Sequence, residues 1–159
     1  MQQLLLSQYE LIKSARHALF SYCDNMAQAD LFKKVDAFNN NCIIDLLVHN
    51  ANTYIHWLKN FGLDGTVPFH ESEAIKDLKD IDTLYETVDI LVSDFLDGYR
   101  SGYEQSITKK TPRRDVVITV TPLQLFTHVI THEFHHKGQI LTMSRLLGYT
   151  PVDTDVIRT

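Results

Sequence analysis

Apolar positions recur at three- and four-residue steps in four long segments of the 159-residue chain, as amphipathic helices require. Over residues 4–26 the stripe is Leu5, Tyr9, Ile12, Leu19, Tyr22 and Met26. Over residues 40–61 it is Ile43, Leu47, Tyr54, Trp57 and Phe61, with Gly62 as a natural stop. Over residues 82–103, Leu84, Val88, Leu91, Phe95 and Tyr99 repeat at helical spacing. The fourth segment has the clearest punctuation. Thr121 is placed to cap it, Pro122 suits a first helical position whose N–H has no partner anyway, Gly148 follows the last periodic residue, and Pro151 lies beyond. Residues 115–120 (DVVITV) are β-branched and short, which predicts an extended segment or hairpin before the last helix. Residues 64–81 are polar and predict a loop with one short helix. Without a strong strand pattern, a linker or a repeat, the expectation is one all-α domain over residues 1–159, a four-helix bundle.

Composition narrows the function classes. Lys+Arg 15 against Asp+Glu 20 gives a net charge of −5, which argues against non-specific nucleic-acid binding. No apolar run approaches the ~20 residues of a membrane span, and the start (MQQLLLSQYE) lacks the basic flank and long apolar core of a signal peptide. Cys23 and Cys42 form neither a disulfide framework nor a CxxC pair, so a reducing cytoplasm is the expected location. Eight histidines outnumber glycine (6), proline (4) and methionine (3), and their placement decides what they mean.

His132 and His136, in the run THVITHEFHHKGQI, lie about 40° apart on a helix and one turn along it, within reach of one ion. Their seam continues through Leu125, Val129, Ile140, Met143 and Leu147, so both imidazoles are expected to point into the bundle. Buried imidazoles need partners at both nitrogens; a divalent metal supplies one and a neighbouring carbonyl or carboxylate the other. Hydrogen-bonded core histidines are the plainer reading of the same pattern. A catalytic metal usually takes three protein ligands and keeps an open position. In LLVHNANTYIHW, His49 flanks the apolar stripe at mid-helix and is favoured as the third ligand; His56 lies roughly 10 Å farther along the axis and reads as pocket wall or surface. His128 reads as a substrate-facing or ligand-supporting group or as simple packing, and His135 as a flank residue bonded to a neighbouring helix. Tyr54 and Trp57 are candidates for the pocket lining or for plain core, and His17 and His70 for the surface.

HEFHH literally satisfies H-E-x-x-H, in which Glu133 would be the general base of a zinc protease. That reading needs a further ligand, and only Asp153 and Asp155 follow His136. A di-iron bundle needs two Glu-x-x-His motifs, and Glu133–His136 is the single one here. The run HVITHEFHHKGQI, with LLGYTP after it, resembles the DinB/YfiT-like family of metal-dependent proteins (not the polymerase sharing that name). The matching features are His132, His136, Lys137, Gly138 and Gln139, with His49 upstream and Trp57 two turns on. The resemblance implies an up-down-down-up bundle and a divalent ion, zinc or nickel, held by His49, His132 and His136, with Gln139 near them. It also implies a dimer, a low-molecular-weight thiol among the substrates, and no ligand role for Glu133.

An open three-histidine site serves hydrolysis, by lowering the pKa of a water, or thiol transfer, by stabilising a thiolate. A metal-dependent transferase or hydrolase acting on small molecules is the leading expectation. The alternative is a non-catalytic metal- or ligand-binding stress-response bundle whose site is closed by His56 or His128. Arg113 and Arg114 read as a positively charged lid or as a solvated loop. Because ligand imidazoles must be neutral, metal binding is expected to weaken below about pH 6.

Overall fold

The computed structural model describes residues 1–111 and 116–158. Five α-helices account for most of it: α1 (Gln2–Asp24), the short α2 (Gln28–Leu31), α3 (Ile43–Tyr54), α4 (Leu78–Gly98) and α5 (Pro122–Leu146). The expected hairpin is present and makes the fold other than all-α: β1 (Ile107–Lys110) pairs antiparallel with β2 (Val117–Val120), Ile107 opposite Val120. The supposed lid residues Arg113 and Arg114 lie outside the described residues. No helix among the described residues is long and apolar enough to cross a membrane.

Local chemistry fixes the helix starts. The α5 start is the one read from sequence: Thr121 Oγ1 accepts from the Gln124 N–H at 3.1 Å, and the Gln124 side chain returns an acceptor to the Thr121 N–H at 2.8 Å. Asp45 does the same for α3, its Oδ2 accepting from the Cys42 N–H at 2.7 Å and from Lys34 Nζ at 2.5 Å, and its Oδ1 from the Ser72 hydroxyl at 2.7 Å. The third helix starts earlier than its apolar stripe suggests, because the Asp77 carboxylate accepts from the Lys79 and Asp80 N–H groups. Gly148 closes α5 at φ +95°, a conformation a side chain would strain.

The second predicted helix is not continuous. After Tyr54 it widens into a π segment, Ile55–Gly62, seen for example in the Leu63 N–H bonding the Leu58 carbonyl five residues back at 3.0 Å. Such segments are rare and concentrate at functional sites, since they shift side chains out of α register. Two devices hold this one. Lys109 of β1 donates to the Phe61 and Gly62 carbonyls and pairs with Asp64 at 2.6 Å, placing a cation on the carbonyl end. Gly62 ends the segment as expected, but for a packing reason: a Cβ there would stand 2.7 Å from the Phe95 ring.

The core lies where α3 packs on both α4 and α5; α1 packs on α4 and less extensively on α5. Tyr54, Phe61, Phe95, Phe126, Ile140 and Met143 are fully buried there. On α5 the buried line runs through Phe126, Val129, Ile130, Glu133, Lys137, Ile140 and Met143. The expectation that His132 and His136 point into the bundle is therefore corrected. The helix is rotated so that Glu133 and Lys137 face inward and the histidines sit at the edge of the core, half-buried.

Candidate metal centre

His49 comes from the middle of α3, and His132 and His136 from consecutive turns of α5, the helix most extensively packed against α3. Their ring centroids form a triangle of 5.2 Å (His49–His132), 4.8 Å (His49–His136) and 4.4 Å (His132–His136). One nitrogen from each lies within 4.8 Å of the others, a group able to hold one ion with bonds of ~2.1 Å after small ring rotations. His49, which flanks the apolar stripe of α3, is exposed.

The protonation chemistry suits a cation. Burial lowers the pKa of His49, His136 and His128. For His132, burial acts first and the neighbouring His136, His128, His49 and His135 add to it, bringing the value down to about 4. At neutral pH the cluster therefore presents uncharged imidazoles, which have lone pairs to give. His136 Nδ1 and Gln139 Oε1 are 2.6 Å apart; with the amide oxygen as acceptor, Nδ1 carries the proton and Nε2 is the free donor atom. His132 Nδ1 is buried and has no hydrogen-bond partner among the described residues.

A pocket of about 630 Å³ opens beside the cluster, within the usual range for small-molecule sites. His49 and His132 stand on its wall, as do His56, Trp57 and Phe69 and, from the hairpin, Ile118. Trp57 meets His56 edge-on at 4.7 Å and His128 at 5.3 Å, and His128 in turn lies 5.7 Å from His132. Asn52 pins the rim by exchanging two hydrogen bonds with the His70 backbone, at 2.8 and 2.9 Å. His56 and Trp57 thus occupy the expected wall, and the π segment puts them there. His70, expected at the surface, is exposed yet borders the pocket. His135 is exposed, its ring 5.0 Å from His136 and not on a neighbouring helix.

Tyr54 does not line the pocket. It is fully buried, and its hydroxyl donates to Glu133 Oε2 at 2.5 Å. This contact belongs to an ionic cluster that periodicity alone did not reveal. Arg16 of α1, 5% exposed, forks onto Glu133, with Nε to Oε1 at 2.8 Å and Nη2 to Oε2 at 3.0 Å. It also donates to Asp89 of α4 at 2.7 Å and to the Tyr9 hydroxyl at 3.0 Å, and lies over the Tyr85 ring at 4.6 Å. Burial opposes a charge on Arg16, but the Glu133 carboxylate overrides it and holds the guanidinium charged. Burial likewise pushes the Tyr54 hydroxyl up, so it stays protonated and donates. Lys137, also buried, donates to the Thr154 carbonyl at 2.5 Å and so fastens the tail after α5. A signal was present: Arg16 falls on the α1 stripe between Ile12 and Leu19, where only a charge with a partner could reside.

The sequence as a whole matches a family model, that of the DinB family, over residues 1–159. No curated protein matches it.

Proposed function

The chain belongs to the DinB family, and from that premise we propose that it is a metal-dependent enzyme acting on small molecules, with His49, His132 and His136 as the ligands of one divalent ion. The observation that carries this reading is the convergence of three neutral imidazoles from two helices at the end of a 630 Å³ pocket. An all-imidazole set accepts zinc, nickel, copper and iron alike, and zinc or nickel is the ion that the family resemblance implies. When bound, the ion would supply the Lewis acidity that lowers the pKa of a water or thiol brought to it.

The protein's own groups divide the remaining work. Gln139 holds His136 in the tautomer that offers Nε2. Trp57, His56 and Phe69 give the pocket an aromatic wall, suited to a substrate with a flat apolar body whose polar end faces the histidines. The open side of the cluster leaves room for such a molecule, which favours catalysis over a closed storage site. Thiol transfer and hydrolysis are the two reactions this arrangement serves, within a bundle of up-down-down-up order and a dimeric assembly.

Replacing any one of the three histidines with Ala should abolish tight zinc or nickel binding by the purified protein, measured by calorimetry. Normal binding by the His49→Ala protein would refute the ligand set. Turnover of a panel of thiols and aromatic electrophiles, with metal present and stripped, tests the activity. Trp57 is the sole tryptophan, so quenching of its fluorescence by an aromatic substrate reports occupancy of the pocket directly.

A further inference from the structure

We propose that the Arg16–Glu133–Tyr54 contact is a positioning device for the three-histidine centre, setting the spacing and rotation of the two helices that carry it. The inference rests on the reading of those histidines as metal ligands, and goes beyond it by giving Glu133 a role different from the one its H-E-x-x-H context suggests. Glu133 is unsuited to be a general base. It is 6% exposed and both its oxygens are engaged, Oε1 by Arg16 Nε and Oε2 by Arg16 Nη2 and the Tyr54 hydroxyl.

Its place in the chain is what matters. Glu133 directly follows His132 and precedes His136 by three residues, and Tyr54 shares α3 with His49. The Tyr54–Glu133 bond therefore ties the two ligand-bearing helices together through the residue next to His132 and one five positions after His49. Successive helical residues point about 100° apart, so anchoring Glu133 inward determines that His132 and His136 turn together toward His49. The anchor itself is held on the other side. Arg16 is bonded to Asp89 and Tyr9 and stacked over Tyr85, and the Tyr85 hydroxyl donates to the Leu47 carbonyl at 3.0 Å, two residues before His49. Helices α1 and α4 thereby brace α5 and α3 against each other at the level of the site.

The test is cobalt(II) titration of the purified full chain, followed by the visible absorption band of the histidine-bound ion, for wild type, Tyr54→Phe, Glu133→Gln and a control, Leu96→Ala. Leu96 is fully buried in α4, seven residues beyond Asp89, and its side chain is apolar, so its loss weakens the fold without removing a hydrogen bond of the device. Tyr54→Phe and Glu133→Gln are expected to bind cobalt about tenfold more weakly or worse, with a shifted and less intense band. The control is expected to keep the wild-type band and affinity despite a lower melting temperature. If Glu133→Gln does not fold, Tyr54→Phe, which removes one hydroxyl, decides. Wild-type affinity and an unaltered band in Tyr54→Phe overturn the proposal, as does an equal change in the control. Failure of the wild-type chain to bind cobalt overturns the metal-centre reading itself.

Discussion

The two faces of α5 make opposite use of polar residues. On the inner face, Glu133 and Lys137 are buried and held by partners, Arg16 and Tyr54 for one and the Thr154 carbonyl and Phe134 ring for the other. On the pocket face, His128, His132 and His136 are half-buried or exposed, their basicity is lowered, and His132 Nδ1 has no partner among the described residues. A buried charge without partners costs several kcal/mol, so the inner face had to be completed by the protein itself. An uncharged imidazole at the rim costs far less to leave incomplete, and an incomplete donor is what a ligand requires. Structural and functional polarity thus separate by roughly one residue's rotation on the same helix.

The largest expected effect comes from breaking the inner face. Arg16→Met leaves Glu133 and Asp89 facing an apolar side chain and should destabilise the protein by about 3–5 kcal/mol in urea unfolding. His132→Ala should change metal-free stability by about 1 kcal/mol or less, as at a rim position. Equal losses in the two variants would erase the distinction between the faces. Lys137→Met comes next: it strands the Thr154 carbonyl and should cost about 1–3 kcal/mol, with faster amide hydrogen exchange in residues 153–158. Protection unchanged in that tail would show that Lys137 does not fasten it.

A smaller effect is expected on the pocket face from Gln139→Leu, which frees the His136 tautomer. Zinc affinity should fall by about tenfold with stability nearly unchanged. The mildest test is acid. The folded pKa of His132 is depressed to about 4, while the unfolded chain protonates near 6.5. Between those values the unfolded state binds more protons, so His132 favours folding fully above about pH 6.5, and that contribution is lost as pH falls toward 4. An NMR titration should find the His132 ring neutral at pH 5.5. This sharpens the expectation that binding weakens below about pH 6: competition from protons at His132 sets in at lower pH.

Helix periodicity made most of the architecture legible, because burial on one stripe is a local constraint repeated many times. The N-cap at Thr121 and the stop at Gly148 were readable for the same reason: capping depends on residues a few positions apart. The histidine pairing His132–His136 is equally local, since one helical turn separates them whatever surrounds the helix. His49 was reached by its place near mid-helix, and its proximity to the other two depends on α3 lying against α5. The π segment was not legible. Its apolar spacing is compatible with an α-helix, and it depends on contacts made from elsewhere, by Lys109 and Phe95.

The sequence by itself thus determined the helices, their caps and the histidine motif, all products of interactions within about one turn. Tertiary structure alone decided the rotation of α5. Apolar spacing placed His132 and His136 on the seam, but the Arg16 fork and the Tyr54 hydroxyl, from residues 117 and 79 positions away from Glu133, make that carboxylate the better-satisfied inward group. The physical reason is that a buried charge is tolerable only beside its partners, and which partners are near is settled by packing rather than by spacing along the chain.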